Sequence, residues 1–312
     1  MRVFVTGASG WIGSALVPEL IGAGHRVVGL ARSDASAAAL VKAGAEAVPG
    51  TLDDLDLLRE TAAASDGVIH LAFKHELAFS GGFQDAADAD RSAVEAFGES
   101  LAGSGRPFLI ASGLVGLAPG RFSTEADGRT PDEASAHLPG GPRTRMGTAH
   151  VTLALADRGI RTSVVRLPPT VHGDGDNGFM AALVGIARDK GFAGYVGDGT
   201  QRWPATHRDD AARLFRLALE GAPAGSVLHA SAEDGVPLRS VAEVIGRRLD
   251  VPVRSVPAEE AAEHFTWLSG FIGLDSPASS TLTRELLGWD PTGPGLIEDL
   301  DKGHYFRSGG GE

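Results

Sequence analysis

The chain has no cysteine, which excludes disulfides, a thiolate metal site and a cysteine nucleophile. Lysine occurs only at Lys42, Lys74, Lys190 and Lys302, and tyrosine only at Tyr195 and Tyr305. Acid–base chemistry built on those two residue types therefore has few places to sit. No apolar run reaches the length that spans a bilayer, and the first residues read as a strand instead of a signal peptide. A cytoplasmic protein is the expectation. Net charge is −12 and basic residues are not clustered. This argues against nucleic acid and anionic membrane as partners and leaves a small-molecule substrate, with a homodimer open. The run Gly173-Asp174-Gly175-Asp176-Asn177-Gly178 looks like a calcium loop but lacks the glutamate at its twelfth position. It reads as a turn, and no metal is expected.

What is present begins at once. Val3–Val5 reads as a short buried strand, followed by Gly7, Gly10 and Gly13 and an apolar-periodic helix ending near Ile21. Gly22-Ala23-Gly24 is a helix stop, and a second strand follows at Arg26–Leu30. A strand, a glycine turn and a helix N-terminus make an anion site from free N–H groups and the helix dipole. In such a turn Gly7 allows the tight bend, Gly10 lets a pyrophosphate approach, and Gly13 lets helix and strand pack closely. Strand and helix alternate through Thr162–Leu167, with short, fully apolar strands. That pattern predicts an α/β fold: a Rossmann-type, doubly wound parallel sheet with its crevice at the carboxyl ends of the strands. After Gly173 the pattern loosens. Expected are a dinucleotide-binding domain over 1–172, a smaller α+β substrate lobe over 173–307 whose strand 226–230 rejoins the main sheet, and a flexible tail at 308–312.

The run Thr6-Gly7-Ala8-Ser9-Gly10-Trp11-Ile12-Gly13 resembles the short-chain dehydrogenase/reductase superfamily, most closely its extended, epimerase/dehydratase-like branch. The resemblance implies cofactor contacts from Gly7, Ser9, Gly10, Trp11, Ile12 and Gly13. An NAD enzyme of that branch carries Asp at the position of Ala31. Here Arg32 and Ser33 follow instead, and a guanidinium suits a 2′-phosphate by charge and by bidentate bonding, so NADP is the expected cofactor. The alternative is a solvated Arg32 with Asp34 on the ribose. Pro49–Asp53 resembles the adenine loop, with Thr51 in place of Asp and Leu52 beside it. Val68–Ala72 resembles the fourth strand, whose end brings Leu71, Ala72 and Phe73 to the central riboses, while His70 reads as packing. Ala111 and Pro168 complete the implied contacts.

The same family uses a Tyr acid, a Lys four residues later and a Ser or Thr ending the fifth strand. Hydride delivery to a carbonyl builds alkoxide charge that such groups stabilise. Here the strand ends Ala111-Ser112-Gly113, so Ser112 is the candidate hydroxyl, or else the position falls on Gly113. Counting back from Arg166 places the Tyr and Lys positions at Gly141 and Arg145. The pair is absent. Candidates for the gap are Arg143 and Arg145 as fixed cations, and Lys74, His75 and His172 at the mouth, the histidines as proton relays. The pocket is expected to be apolar, near Phe73, Leu114, Met146, Phe179 and Trp203. Asp209 and Asp210 read as helix capping, His150 as a helix-face residue and Trp289 as lobe core. The leading reading is an NADP-dependent oxidoreductase acting on a small carbonyl, alcohol or imine without the Tyr/Lys pair. The alternatives are a non-catalytic NADP-binding sensor and a cofactor-assisted isomerase or lyase.

Overall fold

The computed structural model describes residues 1–115, 117–118, 120–129 and 142–307, with Phe79 and residues 142–144 described through their backbone alone. In chain order the first half contains β1 (Arg2–Thr6), α1 (Gly13–Gly22), β2 (Arg26–Ala31), α2 (Asp34–Lys42), β3 (Glu46–Pro49), α3 (Leu55–Ala63), β4 (Gly67–His70), α4 (His75–Phe79), α5 (Phe83–Leu101), β5 (Pro107–Gly113), α6 (Pro142–Ala154) and β6 (Arg161–Leu167). The second half contains β7 (Thr170–His172), α7 (Phe179–Lys190), β8 (Ala193–Val196), β9 (Arg202–His207), α8 (Arg208–Gly221), β10 (Ser226–His229), β11 (Glu233–Pro237), α9 (Leu238–Leu249) and β12 (Val253–Val256). Four short helices follow, α10 (Ala261–Phe265), α11 (Ser269–Ile272), α12 (Thr281–Leu287) and α13 (Leu296–Asp301), then a 3-10 turn at His304–Phe306.

Seven parallel strands form the large sheet in the order β10-β6-β5-β4-β1-β2-β3. Order reverses between β1 and β4, which puts the binding crevice of a doubly wound sheet there. Successive side chains of a strand point to opposite faces, and the two cores follow that alternation. Val3, Val5 and Val27 pack with Leu16, Leu20 and Phe215 on the side of α1 and α8. Phe4, Val28 and Leu30 pack with Leu58, Val94 and Phe97 on the side of α3 and α5. A third core lies in the lobe, around the sheet β11-β9-β7 and the pair β12-β8.

Residues 208–229 return to the large sheet: α8 packs in the first core and β10 pairs with β6 in parallel. Trp289, read from sequence as lobe core, is buried in that first core and donates its indole N–H to the Asp210 carbonyl at 3.0 Å. Strand β9 escapes sequence reading because Pro204 sits in its middle and cannot donate to a ladder. The structure accommodates it where the pairing with β11 shifts register between Glu233 and Val236. The tail at 308–312 lies outside the described residues. Among the described residues no helix is long and apolar enough to cross a membrane, and no group of side chains is arranged to hold a metal ion.

Candidate active site

The glycine turn is built by exclusion. Gly7 adopts φ +68° and lies so close to β4 that a Cβ there would come 2.8 Å from the Ala72 nitrogen. A Cβ on Gly13 would come 2.1 Å from the Gly7 carbonyl oxygen. No side chain caps α1, and the N–H groups of Trp11, Ile12 and Gly13 have no backbone acceptor among the described residues. Helix α2 differs: its N-cap Ser33 accepts from the Ser36 N–H at 3.2 Å in a capping box. The first helix thus presents open donors at the crevice, which fits a bound pyrophosphate. Trp11 closes the turn from outside, its indole N–H donating to the Val171 carbonyl at 2.8 Å and its ring lying under Arg208.

At the end of β2, Arg32 is 74% exposed and meets Glu76 of α4 at 3.3 Å. Lys74, beside it, bridges both Asp53 oxygens at 2.7 Å. Ser33 is engaged in its cap, and Thr51 in an Asp54-centred turn, its N–H and hydroxyl both donating to Asp54 Oδ2 at 2.7 and 3.0 Å. Leu52 is buried in the second core. Arg32, Ser33 and Thr51 are all exposed, and Arg32 is the one cation among them.

Across the switch point, the ends of β4 and β5 meet Arg145 of α6. Its guanidinium donates to the Ala111 carbonyl at 2.8 Å and lies 4.3 Å over the Phe73 ring. Its Nε is 3.9 Å from Asp90 Oδ2. Burial lowers its proton affinity and Asp90 works the other way; arginine stays cationic at neutral pH regardless. His75 sits edge-on to Phe73 with ring centroids 5.1 Å apart. The residue keeps solvent access, yet desolvation of its ring and then the Arg145 charge lower its proton affinity. Arg145, Phe73 and His75 are therefore brought together. Ser112 is only 5% exposed, whereas Gly113 is exposed with open space where a side chain would stand. Pro168 is buried next to β6. Gly141 lies outside the described residues and Arg143 is described by backbone alone.

Comparison with known proteins bears on this arrangement. The model of the NAD dependent epimerase/dehydratase family matches residues 3–88. An uncharacterized protein of Schizosaccharomyces pombe is 47% identical over 307 residues, covering 98% of this chain and 100% of that one. The chain belongs to this family, the extended branch of the short-chain dehydrogenase/reductases. A 4-hydroxy-2-methyl-3-oxo-4-farnesyl-3,4-dihydroquinoline-1-oxide ketoreductase of Stigmatella aurantiaca is 29% identical over 274 residues, 85% of this chain and 79% of that one. Among solved structures, the dTDP-glucose 4,6-dehydratase DesIV of Streptomyces venezuelae, with NAD bound, has a TM-score of 0.76 at 19% identity, covering 98% of this chain and 97% of that one. That likeness speaks to the fold. Family relatives support nicotinamide-dependent oxidoreductase chemistry.

Within this extended short-chain scaffold, several residues sit elsewhere than the sequence suggests. His172 does not reach the mouth. It is 0% exposed, with Nδ1 3.0 Å from Asp299 of α13. Its fully enclosed ring sits among lobe residues, so contact with a substrate would need the lobe to open. Asp210 does not cap α8. It is buried and accepts from the Thr292 and Gly293 N–H groups at 3.0 and 2.8 Å, while His207 takes the N-cap position. Leu114 and Trp203, offered as pocket lining, are buried core residues. Tyr305, unlike a family acid, accepts from the Gly173 N–H at 3.3 Å and donates to Asp176 at 2.8 Å. Burial and then the Asp176 charge raise its pKa far above the ordinary tyrosine value. Sequence reading missed Asp90. Its one signal was an acid in the apolar face of a helix, at the spacing of Ala86, Ala93 and Phe97.

Proposed function

We propose that this protein is an NADP-dependent oxidoreductase acting on a small carbonyl, alcohol or imine without a tyrosine acid. The observation that carries it is the pairing of an open glycine turn with Arg32 at the end of β2, where Ala31 stands at the position of the carboxylate that would reject a 2′-phosphate. The open amides of α1 would hold the pyrophosphate, and Arg32 would exchange Glu76 for the 2′-phosphate. That exchange costs little because both partners are exposed. A nicotinamide cofactor held by these residues would supply or accept hydride. Arg145 then stands as a fixed cation at the ends of β4 and β5, where alkoxide charge would develop, with His75 beside it as the titratable group nearest solvent. A binding-only sensor is the second reading, favoured by the empty space at Gly113, where a hydroxyl would otherwise face the crevice.

Fluorescence titration with NADPH and NADH tests the cofactor. A charge-assisted bond contributes about 1.5–3 kcal/mol, so Arg32→Ala is expected to weaken NADPH at least about tenfold and leave NADH unchanged. Equal affinities for the two cofactors in the unmodified protein would overturn the assignment. Absorbance at 340 nm across a carbonyl and imine panel separates enzyme from sensor.

A further inference from the structure

Beneath the crevice runs a buried polar chain that links the glycine turn to Arg145. The Ala72 N–H donates to Thr6 Oγ1 at 3.3 Å, and Thr6 Oγ1 lies 2.7 Å from His70 Nδ1. His70 Nε2 lies 3.1 Å from Asp90 Oδ1. The directions follow from the acceptor: an ionised carboxylate can only accept, so His70 Nε2 carries a proton and donates it to Asp90. In the neutral ring Nδ1 is then bare and accepts from the Thr6 hydroxyl. Thr6, His70 and Asp90 are each 2% exposed or less. The second Asp90 oxygen faces Arg145 Nε at 3.9 Å, an ion-pair distance, and that Nε is buried without a hydrogen-bond partner among the described residues. Burial raises Asp90, but the His70 bond and the Arg145 charge outweigh it and hold the carboxyl below its ordinary value, so it is ionised.

We propose that Asp90 is the positioning counter-ion of Arg145, oriented by His70 and Thr6, and that it fixes the guanidinium at the ends of β4 and β5. The inference rests on the reading of Arg145 as the crevice cation. Three contacts define the guanidinium: a carbonyl acceptor on Ala111, the Phe73 face, and the Asp90 charge. The first two would accept several tilts. The carboxylate sets one, because a largely buried cation that loses its anion, the one paired with it among the described residues, is left uncompensated and moves. The arrangement also explains why an acid is tolerated inside α5: its charge is balanced by a residue at the position where the family carries lysine.

The test is a double-mutant cycle on the purified full chain, with Asp90→Asn, Arg145→Gln and the pair together, read by urea unfolding. Each single change is expected to lower the folding constant, and the double variant to be more stable than the product of the singles by at least tenfold. Additive effects would overturn the proposal. Should Asp90→Asn not fold, a folded double variant would support the pairing and an equally unfolded one would refute it. A second readout is the Arg145 Nε–H resonance, assigned by its loss in Arg145→Lys. Its exchange with solvent should accelerate at least tenfold in Asp90→Asn and stay slow in His70→Gln, which can still donate to Asp90. Unchanged exchange in Asp90→Asn would refute the positioning role. None of these measurements needs cofactor, so failure of NADPH to bind would count against the proposed function and not against this pairing.

Discussion

The two halves of the large sheet handle the same problem, polar groups at the ends of buried strands, in opposite ways. At the turn after β1 the solution is local: glycines bring backbone donors to the crevice, and the spacing is contained within a dozen residues. In β5, β6 and β10 it is assembled from distant segments. Their buried histidines make the contrast concrete. His70, ending β4, stands between a hydroxyl and the carboxylate of Asp90. His229, ending β10, stands between the Ser279 carbonyl at 2.9 Å and the Arg166 guanidinium at 3.3 Å. One ring faces an anion and the other a cation. Burial is the same for both, so the partner decides what each ring can do.

The largest effect should come from breaking the local half. Gly13→Val places a branched side chain where even a Cβ would lie 2.1 Å from the Gly7 oxygen and 2.7 Å from Ala8. Neither obstacle is a flexible side-chain end, so the turn itself must shift, which costs about 1–3 kcal/mol or more by overpacking. The amides of Trp11 and Ile12 shift with it. NADPH affinity is expected to fall more than about 100-fold, equivalent to roughly 3 kcal/mol, while circular dichroism still reports a folded chain. Retained affinity would mean that the turn is not the phosphate site.

This division also sets what was legible in the sequence. The glycine turn and the parallel sheet could be read because each depends on residues close in sequence. Arg145 could be placed by counting, since the helix carrying it keeps its distance from β6. Asp90, the burial of His172 and the pinning role of Asp210 could not be read, because their meaning comes from partners 55, 127 and 82 residues away. The Pro204 strand failed for a similar reason: the bulge that admits a proline belongs to the partner strand.

A pH experiment sharpens the contrast between the histidines. The Ser279 carbonyl can only accept, so His229 carries its proton on Nδ1 and presents a bare Nε2 to Arg166. A second proton would face the guanidinium. Burial, with Arg166 adding to it, pushes the His229 pKa down to about 4 from an ordinary 6.5. The unfolded chain therefore binds a proton between those values that the folded one does not. Stability from this group is complete above pH 6.5, falls as pH drops toward 4, and is level below that. The loss should be on the order of 1–3 kcal/mol. Urea midpoints at pH 7.5, 6 and 5 for the unmodified chain and His229→Gln measure it. The glutamine variant should lack this part of the decline, and parallel curves would remove His229 from the account.

The smallest effect separates the lobe from the crevice. Tyr305 reaches back from the C-terminal turn to the Gly173–Gly178 loop, accepting from Gly173 and donating to Asp176, whose carboxyl is itself raised by burial. Tyr305→Phe keeps the ring and removes only the hydroxyl. It leaves one half-buried N–H and one carboxylate oxygen without that partner, a cost of about 1 kcal/mol. In a chain of this size that lowers the melting temperature by about 2–3 °C. NADPH affinity and any turnover should stay within twofold, because the hydroxyl is spent on holding the loop and burial disfavours its ionisation. Tyr195, on β8 with Arg239 over its ring, should tolerate Tyr195→Phe with no loss of turnover. A 100-fold loss of activity in either folded variant would mean that the lobe delivers a phenolic acid into the crevice.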